Sequence, residues 1–147
     1  MEKRCARWKQ YEIAIAAAVE ARWPNCDVIF DQYVWGFRSG IRRQIDVVLV
    51  FHLEHTSQYE IFECKYFSRK VTVGLVDQFW GFLNDVNITR GSIVTSRGFS
   101  KAARHRAQFD RIGLRHAEFS SEQEVVEAFA PRLDFGDPWN SMYCVGL

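Results

Sequence analysis

The apolar positions along the chain fall into two rhythms. Trp8, Tyr11, Ile15 and Val19 recur at helical spacing with alanines between them, predicting a helix from about Lys3 to Arg22 that Pro24 and Asn25 end. Cys26 to Val34 reads as a first strand, and Gly36 to Gly40 as a turn carrying Arg38. Two apolar runs follow, Ile45 to Val50 and Tyr59 to Tyr66, each dense enough for a central strand. The helical rhythm returns with Val76, Phe79, Trp80, Leu83 and Val86, predicting a helix over about 73–86 that packs on the sheet. Gly91 to Ser96 reads as a short buried strand. Ser100 is placed to cap a helix running to about Phe109, with its alanines packed inward and its arginines outward. Ile112 to Phe119 is a candidate last strand, and Ser121 with Glu124 has the form of a capping box opening a helix to about Phe129. The tail beyond Pro131, with Trp139 and Tyr143, has no periodicity and is expected to dock on the domain or serve a dimer contact. The order of elements implies a mixed α/β layer structure, a central sheet flanked by helices.

Three charges interrupt the two central runs: Asp46 in the first, Glu63 and Lys65 in the second. Strand side chains alternate between faces, so Glu63 and Lys65 share one face while Phe62 and Cys64 share the other. An isolated ionised carboxylate in a buried sheet costs roughly several kcal/mol unless it is paired or binds a cation. A salt bridge through Lys65 is one explanation. The other is a site: two oxygen ligands for a hard divalent cation with an ammonium beside them. Glu12 lies at the apolar stripe of the first helix, and is either an edge residue reaching water or a third carboxylate aimed at that site. Gln78, at the edge of the later helix's stripe, is an ordinary surface residue or an amide directed at the same place. Arg42 and Arg43 enter the central strand, where they are edge residues or, if the site binds a phosphodiester, ligands of neighbouring phosphates.

Composition narrows the class. With 147 residues and a 48% hydrophobic fraction, the chain has room for one globular domain, read as spanning 1–147 with a core over about 3–119 and a C-terminal helix and tail over 120–147. No apolar run approaches the roughly 18 residues that cross a bilayer, and the start does not resemble a signal peptide, so a cytoplasmic location without membrane contact is expected. Cys5, Cys26, Cys64 and Cys144 lack the spacing of a zinc site or redox dithiol and read as buried free thiols. A formal charge of +1 excludes a bulk polycation, but its distribution is uneven. Bases dominate from Arg97 to Arg115 and acids from Glu118 to Asp137.

Asp46 on one strand, Glu63-Cys64-Lys65 on the next, a preceding helix with Glu12 and a following helix with Gln78 together resemble the PD-(D/E)XK, or restriction-endonuclease-like, nuclease superfamily. More narrowly, residues from about Tyr11 to Leu114 are similar to the Mrr-type restriction endonuclease catalytic domain, including the strand and turn from Gly91 to Ser100. Ile45 stands where the superfamily's name places proline, a position without a chemical role.

That resemblance implies a DNA endonuclease in which Asp46, Glu63 and the backbone carbonyl of Cys64 hold Mg²⁺, with Mn²⁺ able to substitute. It implies that Lys65 favours the hydroxide form of the attacking water and offsets charge in the transition state, that Glu12 supports the metal's shell, and that Gln78 orients Lys65 or the water. The 3′ oxygen leaves, giving a 5′ phosphate. Arg42, Arg43, Arg69, Lys70, Arg97 and Lys101 are the candidate phosphate contacts. A homodimer is the expected assembly, since so short a chain offers little surface to grip a duplex, and a separate specificity or defence-system protein is a further candidate partner. Rival readings are a structure-selective enzyme resembling the archaeal Holliday-junction resolvases, a catalytically silent nucleic-acid-binding module on the same fold, and a plain α/β domain with a strand salt-bridge network.

Overall fold

A computed structural model of the chain describes residues 5–130. The tail with Trp139, Tyr143 and Cys144, and the start of the chain before Cys5, lie outside the described residues. The elements run α1 (Arg7–Arg22), β1 (Asp27–Trp35), β2 (Arg42–His52), β3 (Ser57–Lys65), α2 (Val73–Val86), β4 (Arg90–Thr95), α3 (Lys101–Phe109), β5 (Gly113–His116) and α4 (Glu122–Ala128). One five-stranded sheet carries them in spatial order β1-β2-β3-β4-β5. The pairs β1–β2 and β2–β3 are antiparallel, while β3–β4 and β4–β5 are parallel, joined by α2 and α3. No helix among the described residues is long and apolar enough to cross a membrane.

Two hydrophobic layers hold the sheet between helices. On one face Tyr11, Ile15 and Val19 of α1 and Val125 of α4 pack with Val47, Leu49, Phe62 and Val94. On the other, Val76, Phe79, Leu83 and Val86 of α2 and Ala103 and Ala107 of α3 pack with Val48, Ile61 and Ile93. Central β3 therefore buries opposite faces with successive residues, Ile61 toward α2 and Phe62 toward α1. Each such side chain contributes about 1.5–3 kcal/mol when fully buried. Gly91 lets α2 come close to β4, because a Cβ there would stand 2.6 Å from the Phe79 ring.

Several sequence expectations need correction. Trp8 is 53% exposed and Trp80 41% exposed, so neither belongs to the buried stripe of its helix; Ala14 and Ala18 complete the packed face of α1 instead. The last strand is only Gly113–His116, and α1 starts at Arg7. Ser121 does cap α4 by accepting from the Glu124 amide, but the Glu124 carboxylate accepts from Ser120 N–H, so the reciprocal half of the box is displaced by one residue. Ser100 caps α3 as expected, its hydroxyl accepting from Ala103 N–H. Among the described residues Cys64 is the only buried cysteine; Cys5 is exposed and Cys26 half-buried, and these three are free thiols.

The turn between β1 and β2 is fastened to the C-terminal end of α2 by Asp85. Its carboxylate accepts from the backbone N–H groups of Arg38 and Ser39, from the Ser39 hydroxyl and from Arg43 at 2.6 Å, while its carbonyl accepts from Phe37 N–H. Gly36 permits the contact: a Cβ there would lie 2.4 Å from the Asp85 carboxylate. The Ser39 hydroxyl, with the backbone donors and Arg43, depresses the Asp85 pKa from 3.8 to about 2. A depressed carboxylate stabilises the fold in full above its ordinary value and loses that contribution as pH falls through the folded one. Asp85→Asn should therefore lower the urea midpoint at neutral pH, and the gap from the unaltered protein should close between about pH 4 and pH 2. A gap that stayed constant across that range would deny the carboxylate this part.

Candidate active site

The centre of the molecule is a fork in the sheet. The β2–β3 ladder ends at Val47↔Phe62, although both strands continue. At the same level β2 changes face. Val47 packs toward α1 but Ile45, two residues away, packs toward α2. Strand β1 changes with it: Val28 and Phe30 face the α1 layer and Val34 the α2 layer, with Asp31 between them in the left-handed region at φ 53°. Asp46 sits at this inversion. Its carboxylate accepts from the Cys64 amide at 2.9 Å, giving that N–H an acceptor where strand pairing has stopped.

Beyond the fork a cleft of about 210 Å³ is lined by Arg43 and Gln44 of β2, Glu63 and Lys65 of β3, and Gln78 with Phe79 of α2. The Lys65 ammonium lies 2.7 Å from Glu63 Oε1, so the Glu-x-Lys pair does share a face. Burial pulls the Lys65 pKa down, but the charge and hydrogen bond of Glu63, then the charge of Asp46, more than offset it and leave the net shift upward. Lys65 is a cation at neutral pH. The turn after β4 secures the end of β3: Ser96 N–H donates to the Lys65 carbonyl at 3.2 Å, and the Ser96 hydroxyl accepts from Phe67 N–H.

Asp46 is bound by the Cys64 amide, where Glu63 is bound by the Lys65 ammonium. Burial and then the charge of Glu63 push its pKa up to about 7, with Glu12 adding to the shift and the Cys64 amide and Lys65 opposing it. Glu12 is buried on α1, and its carboxylate is bound by Lys9 at 3.1 Å. Lys9 also meets Asp31 at 3.0 Å, and Asp31 accepts from Gln44 Nε2 at 2.5 Å. Glu12 thus acts on Asp46 through its charge while one of its oxygens, Oε2, is bound by Lys9. Sequence reasoning did not anticipate Lys9, Asp31, Gln44 or Asp85. Gln44 at least carried a signal, standing two residues before Asp46 in a strand.

The six candidate phosphate contacts are placed unevenly. Arg43 lines the cleft, but its guanidinium is bound to Asp85 and stacked 5.0 Å from the Phe82 ring centroid, which makes it a structural brace. Arg42, Arg69, Lys70, Arg97 and Lys101 are exposed. Of the remaining basic stretch, Arg106 is paired with Asp77 and Asp110. Among the described residues no three His, Cys, Asp or Glu side chains cluster as a metal-holding group.

This architecture has counterparts among solved structures. The protein of unknown function AF1548 matches with a TM-score of 0.60 at 20% identity, over 81% of this chain and 64% of that one. Protein VC1899 from Vibrio cholerae matches with a TM-score of 0.59 at 14% identity, over 82% of this chain and 32% of that one. The MspJI restriction endonuclease, in complex with a 27-mer oligonucleotide, matches with a TM-score of 0.54 at 13% identity, over 84% of this chain and 28% of that one. The chain spans less than two thirds of each of these proteins. No curated protein matches the chain. The class is therefore the restriction-endonuclease-like fold, a mixed five-stranded sheet between helical layers. A family model described as a restriction endonuclease, the Mrr-type catalytic domain, matches residues 26–118, and the chain belongs to that nuclease family. The matched span includes Asp46, Glu63, Lys65 and Gln78 but not Glu12.

The fork makes a prediction about stability. Asp46→Asn keeps a carboxamide oxygen for the Cys64 amide but removes a half-buried charge that Glu63 repels. In EDTA at pH 8 it should raise the melting temperature, by roughly 1 kcal/mol or about 3 °C. A fall of similar size would mean that the ionised carboxylate is itself a stabilising group.

Proposed function

We propose that the protein is a divalent-metal-dependent DNA endonuclease that leaves 5′-phosphate ends, with Asp46, Glu63 and Lys65 at its centre. The observation that carries this reading is the unequal treatment of the two strand acids. Glu63 has a cationic partner in Lys65; Asp46 is held by an amide and raised by burial and by the charge of Glu63. A structural salt bridge accounts for Glu63, and the Cys64 amide accounts for an oxygen at position 46 but not for a carboxylate there. A cation beside both carboxylates accounts for the pair.

The donor chemistry fits a hard ion. Asp46, Glu63 and the Cys64 carbonyl supply oxygen only, and two carboxylates with one carbonyl suit Mg²⁺, which keeps several of its waters. When bound, such an ion polarises a phosphoryl oxygen and lowers the pKa of water. The protein's own groups do the rest. Lys65, held protonated by Glu63, supplies a compact positive charge where the pentacoordinate phosphorus gathers negative charge, and does not serve as the base. Gln78 brings an amide to the same cleft, suited to orienting a water or a phosphate oxygen. Glu12, tied to Lys9, biases Asp46 electrostatically from behind. DNA as substrate follows the family's nuclease character and the oligonucleotide held by MspJI.

The test is cleavage of plasmid and linear duplex with Mg²⁺, Mn²⁺ or EDTA. Cutting should require the metal. Lys65→Ala should slow it by about 10²–10³-fold, the usual loss when one charge-stabilising group is removed. Lys65→Arg should not restore it, because a planar guanidinium demands bidentate geometry in a space shaped for an ammonium. Metal-dependent cutting by Lys65→Ala at the unaltered rate would end the assignment.

A further inference from the structure

Residues 32–45 contain no acid and three bases, Arg38, Arg42 and Arg43. They form the stretch of the β1–β2 pair that runs past the last β2–β3 rung, from Gln32↔Ile45 to Trp35↔Arg42, and then the connecting turn. One face of this two-stranded ribbon is committed. Val34 packs in the α2 layer, Arg43 rests on Phe82, and Asp85 grips the turn. The alternate residues point the other way. Tyr33 and Trp35 are more than half exposed, with the Arg42 guanidinium 4.9 Å from the Tyr33 ring centroid. At the tip Phe37 is 71% exposed and Ile41 56%.

We propose that this ribbon enters the major groove of duplex DNA and so positions the cleft on one strand; the inference rests on the nuclease reading and adds the element that grips the substrate. Four observations on the molecule converge on that occupant. The ribbon is the right size, since the major groove of B-DNA, about 12 Å wide, admits a two-stranded β-ribbon. Its charge is of one sign, opposite to that of the phosphates. It is continuous with the cleft, because Arg43 and Gln44 at its base line the same cavity as Glu63 and Lys65. It is also held rigid from behind by Asp85, which lowers the cost of ordering it on binding. Arg43 is already engaged by Asp85, so Arg38 and Arg42 are the phosphate ligands, while Trp35 and Phe37 offer apolar contact to base edges such as the thymine methyl.

The same aromatics, or the outer edge of β1, are also the places where a second copy of this chain would pair, and the experiment separates the two occupants. Binding of a labelled duplex is read by fluorescence anisotropy in EDTA across a salt series, with sedimentation velocity on the same samples and guanine N7 methylation as a report on the major groove. The Trp35→Ala/Phe37→Ala double variant should bind at least tenfold more weakly with an unchanged salt slope. Arg38→Ala/Arg42→Ala should reduce the slope of log K against log salt by about 0.9 for each phosphate that is no longer neutralised, and the double lysine variant should restore it. All these side chains are exposed, so melting temperatures should hardly move, and N7 protection by the unaltered protein gives a reading that needs no variant. The inference is overturned if the ribbon variants bind like the unaltered protein, if guanine N7 stays open to methylation in the complex, or if the aromatic variant turns a dimer into a monomer of unchanged affinity. Duplex binding through the ribbon without metal-dependent cutting would sink the nuclease reading and leave the ribbon standing. Cutting with unimpaired ribbon variants would do the reverse, and the absence of both duplex binding and metal-dependent cutting would remove both.

Discussion

The hydrogen bond from the Cys64 amide to the Asp46 carboxylate is the contact on which the rest of the molecule turns. A buried strand amide that loses its ladder partner costs about 1–3 kcal/mol unless something else accepts from it. Asp46 does so at the point where β2 leaves β3, and the sheet can therefore open without an unsatisfied donor. The opening is the cleft. An apolar residue at position 46 would force the strands either to close, removing the space between Gln44 and Lys65, or to bury the amide unpaired. The same carboxylate that makes the fork possible thus carries its charge where burial and the charge of Glu63 both oppose it.

The inversion of faces at Asp31 and Asp46 gives the fork its geometry. Up to Phe30 and Val47 the α1 layer takes one set of side chains; past Gln32 and Ile45 the set is exchanged, and the β1–β2 ribbon leans on α2. Asp31 absorbs part of this bend in a left-handed conformation, a cost that the bonds from Lys9 and Gln44 help to offset. That network also holds Glu12, so the backbone bend and the electrostatics behind Asp46 are secured by the same ammonium.

Much of this was legible in the chain, for reasons that differ by residue. Val47 to Val50 and Ile61 to Phe62 are buried on both sides of the sheet, so their apolar runs identified central strands directly. Asp46, Glu63 and Lys65 stood out as charges in those runs, and Gln78 as the polar edge of a helix facing them. The tryptophans misled: Trp8 and Trp80 hold the spacing of a stripe but lie at its margin, where a large ring remains in water. The Asp85 anchor was hidden because a buried acid at the end of a helix looks like a solvated one until the turn that fills its lone pairs is seen. The face inversion was hidden because strand alternation assumes a constant parity, which a local bend breaks without leaving a glycine or proline behind.

Two cations at the cleft do different work, and their chemistry explains the assignment. Arg43 stacks its flat guanidinium on Phe82 while its edge meets Asp85, which joins the ribbon to α2 through a rigid, delocalised group. Among the described residues Lys65 has one oxygen partner, at 2.7 Å, and a small head with three donors, so protons remain to be shared with whatever enters the cleft. Exchanging the two would fail on both sides. A lysine at 43 cannot present a flat face to Phe82 and a forked edge to Asp85 together, and an arginine at 65 would claim both oxygens of Glu63.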